Sequence, residues 1–354
     1  MPRNRPKKTI EIRKNSKIAE IVAGGIRERV ESFDFPAIDG VPPSRPESPV
    51  AGFAFGDPDA SAENASSLTL LRGDGAPGGA GFLAAQVFSV EGVEPGTVSL
   101  DGKPVGFLYE DDTASFCRLR GVTSDDPTLS PKEQTARTFE RVSRALESAG
   151  FAFSDVVRTW CYLDGLLEWY GEFNAARNAF FESEGVFEGL VPASTGIGAG
   201  NVFGTALVVD VLAARPKNGV VGIRSVESPM QNPALDYKSS FSRAVEIEVP
   251  GCRSLLVSGT ASIDGGGKSV RLGDLHGQIE LTLDVLEALL ESRGMSWKDA
   301  FRGIAYFKNA ADLGELEPIM RRRKIPEFSL ISVPAAVCRD ELLFELELDA
   351  VKTE

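Results

Sequence analysis

The chain has 354 residues, of which 42% are hydrophobic and 25% charged, and its net charge is −13. This composition is that of a globular protein with room for two domains and an extension. The net negative charge argues against a nucleic-acid partner, because phosphate binding needs a concentrated Lys/Arg surface. No run is long and apolar enough to span a membrane, and the basic N-terminal segment lacks the apolar core of a signal peptide.

Histidine and cysteine usage narrows the chemistry further. The single histidine, His276, argues against multi-histidine metal sites and is expected to face solvent or cap a helix. The four cysteines show no CxxC spacing and fit free thiols in a reducing cytoplasm. We expect a cytoplasmic protein with no metal or other cofactor, in which a carboxylate, a tyrosine or a cysteine moves protons.

Residues 1–78 show no counterpart in the second half of the sequence. Residues 36–59 are rich in Pro, Gly and Asp and predict an extended loop, and residues 66–73 (SSLTLLRG) predict a short strand beyond it. The segment is therefore expected to form an extension with a basic start and a Pro/Gly-rich loop.

A repeat then fixes the architecture of the remaining chain. Residues 134–150 (QTARTFERVSRALESAG) and 278–294 (QIELTLDVLEALLESRG) align without a gap at an offset of 144 (278 − 134). Ser130, Pro131 and Glu133 supply a capping signature for the first helix, and Gly150 ends it. A repeat of this length is a whole domain rather than a solenoid unit.

Each copy continues with the same elements. An apolar strand follows each repeated helix, then a second helical segment and a closing strand, and hairpin strands with an Asp-Gly turn signal precede the first helix. The sequence thus predicts an α+β fold of two β-β-α-β-α-β modules, with helices on one face of a mixed sheet. Module 1 is expected over residues 79–216 and module 2 over 217–354.

The first candidate constellation lies in RTWCYL and WYGEFNAARNAFF. Tyr170, Asn174 and Arg177 share roughly one helix face, and Arg158 points from the preceding strand. An arginine beside Asn and Tyr can hold a carboxylate through two hydrogen bonds. The alternative is that the aromatic residues form core and that Arg177 is a solvated helix charge.

Two further segments carry candidate residues. The Gly-rich turn at residues 191–201 lets backbone N–H groups approach a ligand, and Thr195 adds a hydroxyl, although a plain turn before a strand explains it equally well. In residues 338–349, Glu345 and Glu347 share one strand face. These acids either face water or place Glu345 in a cleft, where burial raises its pKa and lets it donate a proton.

The repeated module resembles the RidA/YjgF superfamily over residues 80–354. The resemblance rests on the LESxG helix ends, DVVRTWCYL and the closing FELELDA strand. It implies a chorismate-mutase-like fold, usually trimeric, with ligand clefts between modules. Many members hydrolyse enamines or imines with the arginine of a Pro-Ala-Arg motif, whereas module 1 reads Pro192-Ala193-Ser194 and module 2 has no such motif.

The tandem arrangement is similar to the chorismatases, two-module members of that superfamily which cleave pyruvate from chorismate. RTWCYL, FNAAR, PASTGIGA and CRDELLFELE match their signatures in order. By this resemblance Glu345 is the general acid, and Gly259 with Cys338 is similar to the 3-hydroxybenzoate-forming type. The implied substrate-binding residues are Arg158, Tyr162, Tyr170, Asn174, Arg177, Thr195, Gly196, Gly198, Arg243, Gly259 and Cys338.

The resemblance leads to one prediction and two alternatives. We predict a chorismatase-like enzyme that acts on a small carboxylated enol ether and forms a homo-oligomer, by family resemblance a trimer. One alternative is a hydrolase of imines or another small metabolite. The other is a non-catalytic protein in which the cleft only binds a small molecule. The two unequal halves favour one composite site between them.

Overall fold

The computed structural model describes residues 5–13, 16–23, 26–34, 50–56, 68–73, 82–217, 219, 221–234 and 240–354. Across these residues the fold is α+β, with helices packed on mixed sheets, which confirms the predicted fold class. Within the described ranges, no helix is both long and apolar enough to cross a membrane.

The strands in the described part of the chain form three sets of six, which we call, with the helices and loops that connect them, the first, second and third frame. The first frame contains β1 Lys7–Ile12, β2 Lys17–Ala23, β3 Ile26–Asp34, β4 Val50–Gly56, β5 Thr69–Gly73 and β6 Phe82–Glu91. The second frame contains β7 Gly96–Leu100, β8 Lys103–Glu110, β9 Ala114–Thr123, β10 Val156–Leu163, β11 Ala193–Asn201 and β12 Leu207–Pro216. The third frame contains β13 Gly222–Val226, β14 Ala244–Val249, β15 Cys252–Ala261, β16 Ala300–Phe307, β17 Ser329–Pro334 and β18 Phe344–Thr353.

The three frames share one strand order. It is β1-β2-β3-β6-β4-β5 in the first, β7-β8-β9-β12-β10-β11 in the second and β13-β14-β15-β18-β16-β17 in the third. The fourth and fifth strands are parallel in every frame, and the sixth strand runs antiparallel to the fourth. The N-terminal part of the chain, which showed no counterpart in the sequence, therefore has the strand topology of a third module.

Two details differ from the sequence predictions. The segment 36–59, expected to be a loop, contains β4, which pairs with both β5 and β6; the described part of this segment is residues 50–56. Its small and aromatic residues are buried between neighbouring strands, and this tertiary pairing outweighs the local Gly and Pro signals. Strand β6, assigned from sequence to module 1, pairs with β3 and β4, so we propose Glu91 as the end of the first unit.

The repeated helices lie on the outer faces of the second and third frames. They are α1 Pro131–Ser148, α2 Leu166–Ser183, α3 Leu275–Ser292 and α4 Leu316–Arg322. The capping box at Ser130 and Glu133 is formed as predicted. Residues 35–49 and 57–67, at the corresponding places in the first frame, lie outside the described residues.

The opposite faces of the frames enclose a shared core. Phe55, Tyr162 and Tyr306, one from each frame, belong to the same buried cluster. Strand β5 pairs with β11, which joins the first frame to the second. The third frame contacts the second through β11 and the first through Ser32 and Ser329, whose hydroxyls are 2.7 Å apart. The contacts between frames thus involve strands β5, β11 and β17.

Candidate active site

The acidic residues of β18 lie inside the protein rather than in water. Phe344, Leu346 and Leu348 pack into the core beneath α3, so the alternating positions point toward the other frames. Glu345 is only 5% exposed and Glu347 is fully buried. The half-exposed strand that the sequence allowed is therefore excluded for these two carboxyl groups.

Gly259 provides the space that the Glu345 side chain occupies. A β-carbon at residue 259 would lie 1.9 Å from Glu345 Oε1, far inside van der Waals contact. The close approach arises where the pairing of β15 with β18 shifts register between Val257 and Thr260. Any side chain at position 259 must therefore displace the carboxyl group.

The surroundings of Glu345 favour its protonated form. Burial raises the pKa of Glu345 to about 8, and the negative charge of Glu347 adds to the shift, against smaller opposing effects of Arg158 and Arg243. At neutral pH the side chain is thus mostly a carboxylic acid and a proton donor.

Glu347 has the opposite environment, although it is only two residues away. Its oxygens accept hydrogen bonds from Arg158 (3.1 Å), Arg302 (2.6 Å), Thr195 (2.6 Å) and Trp160 (3.0 Å). Burial works to raise the pKa of Glu347, but the two arginines and Thr195 outweigh it and hold the pKa below its ordinary value. One carboxyl group is thereby kept charged and its neighbour neutral, the pattern expected of an acid with a fixed counter-charge.

Glu345 opens into a cleft between the second and third frames. The second frame contributes Tyr170, Arg177, Ser194 and Gly196, and the third contributes Phe241, Arg243, Gly259, Ala261, Ile263, Cys338, Arg339 and Glu345. The frames are held together at this point by Ser194 N–H, which donates to Ser258 Oγ at 2.8 Å, and by Gly198 N–H, which donates to Ala336 O at 2.8 Å. The site is composite, because neither frame supplies it alone.

Helix α2 brings one arginine to the cleft. Arg177 is 2% exposed, lies over the ring of Phe173 and donates to Asn174 Oδ1 at 2.8 Å. Its Nε is buried without an acceptor among the described residues. The reading of Phe173 as core is right, but Arg177 is not a solvated charge. It is a preorganised donor that lacks an acceptor on one edge.

The third frame lines the opposite side of the cleft. Arg243 donates to Asn232 O at 3.0 and 2.9 Å and lies over the ring of Phe241. Burial raises the pKa of the Cys338 thiol to about 12, so the thiol is neutral and is not a nucleophile at physiological pH. Burial likewise raises the pKa of Tyr170, whose phenol therefore keeps its proton.

The predicted site residues fall into two groups. Those that line the cleft are Tyr170, Arg177, Gly196, Arg243, Gly259, Cys338 and Glu345. The others do not line the cleft. Arg158 and Thr195 bind Glu347, and Asn174 accepts a hydrogen bond from Arg177. Gly198 connects the second frame to the third, and Tyr162 packs between the sheets against Phe53. His276 is largely exposed beside Glu315, as the sequence suggested.

Sequence reasoning missed one charged residue of the cleft. Arg339 lines it and donates from Nη1 to Gly267 O at 2.9 Å and to Ser269 Oγ at 3.1 Å. It directly follows Cys338 in the CRDELLFELE segment, so its position was a usable signal. With Arg177, Arg243 and Arg339 around a neutral carboxylic acid, the cleft is suited to an anionic molecule that receives a proton.

The register of the frames shows which of them places a carboxyl group in the cleft. Ala84, Val208 and Glu345 occupy equivalent positions, opposite Phe55, Tyr162 and Tyr306 respectively. Two residues further along each strand, the equivalent positions hold Gln86 in the first frame, Asp210 in the second and Glu347 in the third. Only the third frame therefore places a carboxyl group at the cleft position.

Comparisons with known proteins agree with this arrangement. The sequence model of the family described as Endoribonuclease L-PSP matches residues 121–214. A chorismatase of Streptomyces hygroscopicus is 26% identical over 253 residues, which cover 65% of this chain and 70% of that protein. A 3-hydroxybenzoate synthase of the same organism is 28% identical over 273 residues, which cover 70% of this chain and 76% of that protein.

The fold itself matches a solved structure. A chorismatase crystal structure superposes with a TM-score of 0.68 at 20% sequence identity, covering 91% of this chain and 98% of the other. The chain therefore has the fold of a chorismatase and contains a segment, residues 121–214, that matches the Endoribonuclease L-PSP (RidA) family model. By its similarity to the curated relatives, the chain is a chorismatase-like enzyme.

Proposed function

We propose that the protein cleaves a small carboxylated enol ether such as chorismate, with release of pyruvate, and that Glu345 is the general acid. The observation that carries the proposal is a buried carboxyl group with a pKa of about 8 facing a cleft lined by three arginines. The names of the relatives, chorismatase and 3-hydroxybenzoate synthase, support this substrate class.

In the proposed reaction Glu345 protonates the terminal CH2 carbon of the enol ether. The electron pair of the C=C bond forms the new C–H bond, which leaves an oxocarbenium ion and the Glu345 carboxylate. Water or a neighbouring hydroxyl of the substrate attacks the cation. With water, the hemiketal passes its O–H proton to the ring oxygen as the C–O bond breaks, which releases pyruvate and the ring alcohol. With the neighbouring hydroxyl, a cyclic ketal forms; the ring then loses a C–H proton to that hydroxyl's oxygen as its bond to the ring breaks, which makes the ring aromatic, and the remaining hemiketal collapses in the same way to pyruvate and the phenol. The attacking oxygen loses a proton, which restores the acid.

The arginines would bind the substrate carboxylates, because unpaired carboxylates are costly to desolvate. Arg177 has a buried Nε without an acceptor, which makes it the best placed of the three to bind a carboxylate oxygen. Arg158 and Thr195 would act indirectly by fixing Glu347, whose charge keeps the proton on Glu345.

We further propose the 3-hydroxybenzoate-forming type. By the resemblance, Gly259 and Cys338 fall on two positions at which the chorismatase subfamilies differ, and Gly with Cys there is similar to the 3-hydroxybenzoate-forming type. Both residues line the cleft beside Glu345. The neutral Cys338 thiol would shape the cleft rather than attack the substrate. A relative named 3-hydroxybenzoate synthase supports this choice.

The test is incubation of the purified full chain with chorismate, with pyruvate and the aromatic or dihydroxy product measured separately. We expect the wild type to form pyruvate and 3-hydroxybenzoate in equal amounts. The rate of Glu345→Gln should be at least about 100-fold lower, since acid catalysis contributes about 100- to 10,000-fold. Glu317→Gln, an exposed change on α4, is the matched control.

Equal activity of Glu345→Gln and the wild type would overturn the mechanism. Absence of both products, with chorismate still bound, would support the non-catalytic alternative. Ammonia release from imines without chorismate turnover would support the imine hydrolase.

The setting of the activity remains a proposal as well. We propose that the protein acts in the cytoplasm, without a nucleic-acid partner, as a homo-oligomer. The resemblance predicts a trimer, whereas three frames in one chain already supply the contacts between modules that separate subunits provide in a trimer. Light scattering after gel filtration would distinguish three chains from one.

A further inference from the structure

A second cavity lies where the three frames meet, and it shares no lining residue with the cleft. Strands β2, β3 and β6 line it from the first frame, β8, β9 and β12 from the second, and β14, β15 and β18 from the third. Its volume is about 140 Å³. An engineered apolar cavity of about 150 Å³ binds benzene, so this space fits one six-membered ring.

The wall of the cavity is largely apolar. Phe88, Ile247, Leu256 and Phe301 line it, and each of them retains 5–7% exposure although they lie deep between the frames. A ring-shaped apolar ligand would remove this remaining surface from contact with solvent.

Among the described residues, Arg118 in this wall forms no direct ion pair with a carboxylate, although it shares a hydrogen bond with Tyr109 and interacts with the charge of Asp210. The guanidinium of Arg118 lies 3.5 Å from the ring centre of Phe88, and its Nε is buried without an acceptor among the described residues. The nearby Glu28 carboxylate instead accepts a hydrogen bond from Tyr109 at 2.7 Å. Because the buried Nε–H group needs an acceptor, Arg118 is suited to an anion that enters the cavity.

The other arginine of the wall is already neutralised. Arg302 donates to Glu347, Asp349 and Gln86 at 2.5–2.6 Å. Its interaction with Asp349 uses Oδ2, whereas Asp349 Oδ1 is buried and accepts no hydrogen bond from a described residue. The cavity therefore offers a donor without an acceptor at Arg118 and an acceptor without a donor at Asp349.

We propose that this cavity is a second ligand site for a small hydroxy-substituted aromatic carboxylate. The carboxylate binds Arg118, the ring packs against Phe88 and Leu256, and the hydroxyl donates to Asp349 Oδ1. The site does not depend on the reaction proposed for the cleft.

The experiment is calorimetric titration of the full chain with 3-hydroxybenzoate, benzoate and phenol. Four proteins are compared: the wild type, Arg118→Met, Arg177→Met, which alters only the cleft, and the variant that carries both substitutions. We expect 3-hydroxybenzoate to bind Arg177→Met through the second cavity with unchanged affinity. Arg118→Met should weaken binding at that site at least about tenfold, because a hydrogen bond to a charged group is lost.

The comparison of ligands tests the two polar ends separately. Phenol should bind at least about tenfold more weakly than 3-hydroxybenzoate, and benzoate about threefold more weakly. Arg118→Met should keep the wild-type rate with chorismate and the wild-type unfolding temperature. The proposal is overturned if Arg118→Met retains full affinity in the Arg177→Met background, or if Arg177→Met alone abolishes all binding.

Discussion

Arg158 and Arg302 occupy equivalent positions in two frames and bind opposite oxygens of a single carboxylate, that of Glu347. Arg158 contacts Oε2 at 3.1 Å and Arg302 contacts Oε1 at 2.6 Å. The two strands that carry them, β10 and β16, have the same register toward their sixth strands. Glu347 thus joins the second and third frames electrostatically at the back of the cleft.

Glu347→Gln should therefore destabilise the protein. The substitution leaves the buried Arg158 without its carboxylate partner and leaves Arg302 with Asp349 alone. Breaking a buried ion pair costs about 3 kcal/mol or more of the free energy of unfolding. Urea titration measures the change. The exposed Glu317→Gln should alter stability by less than about 0.5 kcal/mol. Equal stability of the two variants would contradict the role of Glu347.

Gly259→Ala should reduce kcat/KM while leaving the fold intact. The added methyl group displaces the Glu345 carboxyl, and a misplacement of this size costs about 100-fold in rate. Gly314→Ala is the control, because no atom lies within 4 Å of its new β-carbon. Circular dichroism confirms the fold, and a variant at position 259 as active as the control would show that the carboxyl position is not critical.

The rate should depend on pH through Glu345. Because burial raises its pKa to about 8, the acid form needed for proton donation is present below that pH and is lost above it. We expect kcat to fall about tenfold per pH unit above about pH 8. A profile of kcat measured with saturating chorismate checks this, and a flat profile through about pH 9 would exclude Glu345 as the acid.

Stability should also depend on the Glu345 proton. Between the ordinary pKa of 4.5 and the folded pKa of about 8, the folded chain holds a proton that the unfolded chain releases. This contribution to the free energy of unfolding therefore decreases as pH rises through that window. Glu345→Gln has no such proton, so its stability should fall less between about pH 5 and pH 8 than that of the wild type. Parallel urea titrations at the two pH values measure the difference.

Arg177→Met should raise KM more than it lowers kcat if Arg177 binds a substrate carboxylate. Loss of a charged hydrogen bond of about 1.5–3 kcal/mol corresponds to about 10- to 100-fold in KM. The exposed Arg321→Met, whose partner Glu317 is solvated, should leave both constants unchanged. A lower kcat at constant KM would instead assign Arg177 to the transition state.

Much of the second and third frames could be predicted from sequence, because their repeated helices show a clear helical spacing of apolar residues and clear capping residues. The capping box at Ser130 depends only on residues close in sequence, and so does the strand alternation that places Glu345 and Phe344 on opposite faces of β18. The burial of Glu345 could not be derived this way, because it depends on which side of β18 the other frames cover. The resemblance, rather than the pattern, selected that residue.

The first frame was missed for a related reason. Its strands match the others in pairing order but not in residue identity, and β4 reads VAGFAFG between Pro-rich segments. Tyr162 shows the same limit at the level of one residue. It follows Cys161 in a motif shared with the family, yet strand alternation turns it toward Phe53 and the inter-frame core, away from the cleft.

Three frames in one polypeptide also have a genetic consequence. In an assembly of identical subunits, one codon change alters every cleft at once. Here separate codons encode the three equivalent positions, Ala84, Val208 and Glu345, so a mutation at one of them leaves the other two unchanged. A single gene can then keep one chemical centre while its other interfaces evolve as scaffold or as binding sites.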